Sequence, residues 1–185
     1  MAADHDPDAA AETLTPAAPA QPESVDWLTF AREHHEGATT IMFVAMRSIM
    51  RLQQHMTSVL EHELKEHFEM NLTDYLMLKT LQMSDEGTRL LSRVAWHLLV
   101  HATTVTIATD RLEARGLLYR HAHPRDRRAT CVTITEQGKA VVDSATEMLG
   151  RCGFGMPGLD ADTARVLVEL LAPVRRTAGD LDRSH

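Results

Sequence analysis

Residues 102–138 read ATTVTIATDRLEARGLLYRHAHPRDRRATCVTITEQG, and a change of period inside this stretch decides the fold. Thr103 to Arg115 reads as a helix, and Gly116 supplies the left-handed residue that commonly ends one. After Gly116 the period becomes two. Leu118, Arg120 and Ala122 alternate with Tyr119, His121 and His123, and Thr130, Val132 and Ile134 alternate with Cys131 and Thr133. The spacing predicts two strands joined by the hairpin Pro124-Arg125-Asp126-Arg127-Arg128. Thr135 then caps a further helix, with Gln137 close to the reciprocal capping position and Val141, Val142, Ala145, Met148 and Leu149 as its apolar set.

Upstream, a short helix carries Val94, Ala95 and Leu98, four or five residues ahead of the Thr103 helix. Before it, Thr73–Met83 reads as a helix that Thr73 or Asn71 can cap, with Asp74 favoured in its first turn by the macrodipole. Ser84-Asp85-Glu86-Gly87 reads as a turn. Farther back, Ile41, Val44, Ala45, Ser48, Leu52, Met56, Val59 and Leu60 fall at three- and four-residue steps, the stripe of a long helix. Gly37 divides it from a short helix around Ser24–Glu36. The stripe exceeds what a small isolated domain covers, which implies a partner surface. Downstream, Gly153–Gly158 is a loop, and Asp160 caps a last helix with the stripe Leu167, Leu170, Leu171 and Val174.

Charge follows the same divisions. The chain of 185 residues carries a formal −7. Residues 1–36 hold eight acids and one base and account for all of it, so the remainder is neutral overall. Within that remainder, residues 61–86 carry a net −5 and residues 89–128, with eight arginines, a net +5. The usual inference from a negative chain, that nucleic acid is no partner, therefore fails here. Residues 1–23 are rich in Ala, Pro and acids and read as a disordered tail.

Helix, short turn, helix, glycine, strand, arginine-tipped hairpin, strand is the order of a winged helix-turn-helix. The fold class expected is mostly α with a small β-hairpin wing and a helical dimerisation domain. The latter comprises residues 24–70 and 136–180, and the reading domain residues 71–135. The second helix presents Thr103, Thr104, Thr106 and Ile107, whose hydroxyls and methyls suit phosphates, base edges and thymine methyls, with Arg111 farther along. Arg125, Arg127 and Arg128 at the hairpin tip suit phosphates or a narrow minor groove, with Asp126 placed to hold the Arg128 guanidinium.

The run Leu112–Arg120, then Asp126-Arg127-Arg128, then Val132–Gly138, resembles the MarR family of bacterial transcription regulators over roughly residues 37–175. The resemblance implies a homodimer on a pseudo-palindromic duplex, and a repressor released by a small aromatic ligand. In the urate-responsive subgroup three ligand residues match Trp27, Asp74 and Arg120, whereas a fourth, an arginine, is missing near Ala108. Three departures stand out: Leu99 where a glycine is frequent, His101 where a serine cap is usual, and Trp96 and His97 at positions normally charged.

Other classes find less support. No phosphate loop, nucleophile elbow or paired-His motif is present, so no enzyme is expected. No metal site and no cofactor are expected either. His62 and His67 sit on different faces of a helix, and His97 and His101 span a turn. Two cysteines, Cys131 and Cys152, suit a reducing compartment, and the absence of an apolar run of 18 residues or a basic leader suggests a cytoplasmic protein without a membrane contact. The alternatives are a metal-responsive regulator, and an interaction module that keeps the fold without binding DNA.

Overall fold

The computed structural model describes Thr29, residues 37–126 and residues 128–178. The tail at 1–23, Trp27, the helix expected around Ser24–Glu36 and Arg127 lie outside the described residues, Thr29 apart. The chain divides into two compact units, residues 1–46 and 47–185. In the first, the described residues are Thr29 and the opening turns of helix α1 (Gly37–Phe68), where Val44 is buried and Ile41, Met42, Phe43 and Met46 are exposed.

In the second unit, α1 ends at Glu69, which takes a left-handed φ of 52° so that the Met70 N–H can return to the Leu64 carbonyl at 3.2 Å. Helix α2 (Leu72–Gln82) follows, capped by Asn71 rather than Thr73, in a capping box completed by Asp74. A short 3-10 turn (Asp85–Gly87) leads into β1 (Thr88–Leu90), and then come α3 (Leu91–His97) and α4 (Ala102–Ala114). Strands β2 (Leu118–Ala122) and β3 (Thr130–Ile134) form the expected hairpin, and α5 (Glu136–Arg151) and α6 (Ala161–Thr177) complete the chain. The fold is thus mostly helical with a small antiparallel sheet.

The sheet holds three strands, not two, in the order β1-β3-β2. β1 lies directly after the Ser84–Gly87 turn, where no strand is read from the sequence. It pairs Thr88 with Thr133 and Leu90 with Cys131, and so covers the edge of β3 that a lone hairpin leaves open. Alternation in register sends Leu118, Val132 and Ile134 into a core shared with Leu64, Met77, Leu78, Leu81, Val105, Leu112, Val142 and Leu149. Helix α6, in contrast, buries nothing fully. Leu167 and Leu171 are half-buried, while Val166, Val168, Leu170 and Val174 are exposed.

Helix α5 joins the sheet at one tight node. The Thr135 hydroxyl donates to the Gly116 carbonyl at 2.8 Å and accepts the Gly138 N–H at 3.0 Å, and the Thr135 N–H meets the Leu117 carbonyl at 3.0 Å. Gly138 is required by space rather than by backbone angle, since a Cβ there would lie 2.0 Å from the Leu117 oxygen and 2.8 Å from Ile134 Cγ1. Alanine in a helix normally gains ~1 kcal/mol over glycine. Here the overlap is with backbone and outweighs that gain. Gly138→Ala is therefore expected to lower the unfolding free energy by about 3 kcal/mol in urea denaturation. A neutral or stabilising result would show that α5 can move away from the β2 entrance at little cost.

Candidate nucleic-acid interface

Helix α3 packs under α4 through Val94 and Ala95, and the turn between them closes on backbone bonds, Leu99 N–H to Trp96 O at 3.2 Å and Val100 N–H to Ala95 O at 3.2 Å. That closure needs a left-handed residue, and Leu99 fills the place with φ 53° while its side chain remains 69% exposed. His101, at the N-cap of α4, makes no side-chain cap bond. The first N–H groups of α4 are thus left without a side-chain acceptor, the condition under which a helix start can meet an anion.

α4 buries Val105, Ala108, Thr109 and Leu112 and exposes Thr103, Thr104, Thr106 and Ile107. The Thr106 hydroxyl donates to the Ala102 carbonyl at 3.0 Å, which leaves its oxygen lone pairs and methyl outward. Between the wing and the start of α4 lies a cleft of about 390 Å³ whose lining includes Ser92, Ala102, Thr106, Asp126, Arg128 and Thr130.

The arginines of the positive block divide by partner. Arg111 aims its guanidinium at Asp74, with Nη2 to Oδ1 at 2.7 Å and Nε to Oδ2 at 3.4 Å. Arg115 donates to the Phe68 and Glu69 carbonyls at the end of α1, at 2.8 and 3.2 Å, where a cation also suits the macrodipole. Arg120 on β2 reaches back to α4. It hydrogen-bonds Asp110, and its Nε lies 2.8 Å from Glu113 Oε2, a contact by charge because the N–H is not aimed at that oxygen. The Asp110 hydrogen bond and both carboxylates raise the Arg120 pKa above its usual range, against partial desolvation. Arg89 donates to the Ser84 hydroxyl. Among the described residues of the block, Arg93, Arg125 and Arg128 are exposed with no side-chain partner.

These pairings bear on three expectations. Arg111 is exposed, but its fork is engaged by the buried Asp74 carboxylate. Asp74 and Arg120, expected as ligand residues, are occupied by separate ion pairs to α4, and Ala108, at the place of the missing arginine, is fully buried. Asp126 does not hold the Arg128 guanidinium. Its Oδ1 accepts the Arg128 backbone N–H at 3.0 Å, as an aspartate two residues ahead does in an Asx turn.

Two residues escaped the sequence reading. Arg93 sits mid-helix among apolar neighbours, and only its exposure on α3 marks it. His123 accepts the Arg125 and Asp126 N–H groups on Nδ1, at 3.3 and 3.2 Å. Its position directly before Pro124 is the available signal, since Asn or Asp before proline initiates turns in the same way. No group of three His, Cys, Asp or Glu side chains converges on a metal position among the described residues, and no described helix is long and apolar enough to cross a membrane.

A model of the MarR family matches residues 70–130. Sco5413, a MarR family transcriptional regulator from Streptomyces coelicolor, superposes with a TM-score of 0.68 at 33% identity, over 80% of this chain and 100% of that one. Sco3205, a MarR family regulator from the same organism solved in complex with DNA, shares the fold with a TM-score of 0.65 at 18% identity, over 77% of this chain and 90% of its own. The uncharacterised HTH-type transcriptional regulator YhbI of Bacillus subtilis is 29% identical over 138 residues, 74% of this chain and 86% of that protein. Each is named as a regulator of transcription, of the MarR family or of HTH type.

Two outcomes follow from the internal pairings. Arg111→Ala leaves the buried Asp74 carboxylate short of its cation. Because Arg111 is 44% exposed, water can partly replace it. The expected loss is about 2 kcal/mol of stability, less than the roughly 3–5 of a fully buried pair, while Arg125→Ala should cost nothing measurable. Equal stability of the two variants would remove the strut. At the turn, Leu99→Gly is expected to exceed Leu99→Ala in unfolding free energy by about 1 kcal/mol, the left-handed penalty of a Cβ. The opposite order would refute strain at Leu99.

Proposed function

Since the chain belongs to the MarR family of DNA-binding transcription regulators, we propose that it works as a cytoplasmic homodimeric repressor of a pseudo-palindromic operator. The observation that carries this reading is the face on which Thr103, Thr104, Thr106 and Ile107 lie exposed on α4, near a wing whose Arg125 and Arg128 have no internal partner. In it, α4 enters the major groove and reads base edges through the threonines and Ile107. Arg93, Arg125 and Arg128 meet phosphates, and Arg127 joins them from the wing. Two such helices would enter successive major grooves about 10 bp apart.

Residues 24–70 and 136–180 are proposed as the dimerisation domain. Within the second unit, Ile49, Met50 and Leu52 of α1 and Val168, Leu170 and Val174 of α6 are exposed, apolar side chains on both helices that a partner would remove from water. A second copy would cover it under two-fold symmetry.

A small aromatic acid is proposed as the inducer. Its place is better supplied by the cleft beside Arg128 than by Asp74 and Arg120. The cleft joins one unpartnered cation to the hydroxyls of Ser92, Thr106 and Thr130 and the apolar side of Leu91, at a volume suited to a single ring. A ligand there would occupy the space between wing and α4 that a DNA backbone needs.

The test is a salt series of affinity for a duplex enriched from a random pool. Arg128→Ala and Arg93→Ala are each expected to reduce the slope of log K against log salt by about one, with unfolding curves unchanged. Unaltered slopes for both, or failure to enrich any palindrome at low salt, would overturn the interface and favour an interaction module.

A further inference from the structure

We propose that His123 is the positioning residue of the wing, and that only its uncharged ring holds the wing tip in the shape that presents Arg125 and Arg128. The hairpin tip must place its backbone N–H groups without a helix or a ladder to receive them. Pro124 has none to place. The next two, on Arg125 and Asp126, both point at His123 Nδ1, at 3.3 and 3.2 Å. Beyond them the Arg128 N–H goes to Asp126 Oδ1 at 3.0 Å, the Ala129 N–H to the Asp126 carbonyl at 3.0 Å, and the His123 N–H to the Ala129 carbonyl at 2.9 Å. The imidazole nitrogen is thus the acceptor at the N-terminal side of the tip, as the Asp126 carboxylate is at the other.

An acceptor on Nδ1 requires a lone pair there, so the neutral ring carries its proton on Nε2. The imidazolium has N–H on both nitrogens and accepts nothing. Protonation therefore sets a third N–H against two others, and both bonds are lost together. His121, two residues earlier, behaves oppositely. Its Nδ1 faces the Ala122 carbonyl at 3.2 Å and its Nε2 the Thr133 hydroxyl at 3.0 Å. Thr133 meets the Thr88 hydroxyl at 2.7 Å, and Thr88 the Glu86 carbonyl at 3.4 Å. Both hydroxyls can turn, so that chain runs in either direction and satisfies His121 charged or neutral. Of the two wing histidines, only His123 has surroundings that admit a single charge state.

The charged and titratable groups of the same hairpin are Arg125, Asp126, Arg127 and Arg128 in the turn sequence, and Tyr119, Arg120 and His121 of β2. β3 contributes only the Cys131 thiol. An imidazolium beside the arginines also adds a positive charge that phosphates attract, so loosening and attraction oppose each other and the test must separate them. Asparagine does so. Its Oδ1 stands at the same position along the side chain as Nδ1, accepts the same N–H groups and takes no proton near neutrality.

The experiment compares the full-length wild type, His123→Asn and His123→Ala between pH 5 and 8.5, the range in which an imidazole changes charge. Amide NMR on the protein alone is expected to show Arg125 and Asp126 N–H resonances moving with one titration in the wild type and remaining fixed in His123→Asn. Affinity for the enriched duplex should be equal for wild type and Asn at pH 8, and about fivefold weaker for Ala, the worth of roughly one hydrogen bond. At pH 5.5 the wild type should fall about fivefold below Asn. Parallel pH responses in wild type and Asn, static Arg125 and Asp126 resonances, or wild type binding more tightly than Asn at pH 5.5 would each overturn the proposal. It rests on the wing reaching DNA, and the NMR arm needs no DNA. Resonances that titrate as expected while Arg128→Ala leaves the salt slope unchanged would therefore retain the histidine lock and discard the wing contact.

Discussion

The Asp74 carboxylate is the point from which the reading head is held. It is almost wholly buried, and a buried charge is sustained only by partners that replace its water. Asp74 has two kinds. The Asn71 N–H, at 3.3 Å, makes it part of the cap of α2, and the Arg111 fork ties it to α4. One side chain therefore fixes both where α2 begins and how α4 is rotated. Ile107, Thr104 and Thr103 lie four, seven and eight residues before Arg111, on one helical stripe. Anchoring Arg111 at one end of that stripe sets the direction in which its other members point. Arg120 repeats the device from the sheet side, where its bonds to Asp110 and its contact with Glu113 set β2 against the same helix.

This use of charge changes the meaning of the positive block. Arg89, Arg111, Arg115 and Arg120 are consumed in holding elements together, at Ser84, at Asp74, at the end of α1 and at α4. The electrostatic footprint open to a phosphate backbone is correspondingly smaller than a count of arginines suggests, and it is concentrated on α3 and the wing. Long-range attraction to DNA depends on net charge, but a contact depends on which guanidinium has no other partner.

The fold was legible because its signals are local. Period two after Gly116 and the Thr135 cap are each written within a few residues, and each appears where the pattern places it, whereas the sequence left Thr73 and Asn71 both open as the cap of α2 and the Asp74 carboxylate settles it on Asn71. What the sequence withheld is tertiary. β1 has three residues, too few to show alternation, and exists because β3 offers it an edge. The pairing of Arg111 with Asp74 spans 37 positions, and no spacing rule connects them. Asp126 could be read as a partner for a guanidinium or for a backbone N–H, and only the turn geometry selects the latter. Charge alone marked the arginines, and their tertiary partners then sorted them.

Leu99 and His101, the two departures at the helix-turn-helix, take a different meaning once their geometry is known. A left-handed leucine and an uncapped helix start each cost stability, of order 1 kcal/mol apiece. Neither is recovered by packing, since Leu99 is mostly in solvent and His101 makes no cap bond. Costs of this kind persist where the surrounding structure over-determines the backbone, and they gather at sites of function. Of the first N–H groups of α4, that of Thr104 returns to the His101 carbonyl at 3.0 Å, while those of Ala102 and Thr103 receive no cap from the His101 side chain, beside a cleft that also presents Arg128. A phosphate placed there would meet both the helix end and the wing cation, so the stability forgone in the free protein is available as binding energy when the duplex arrives.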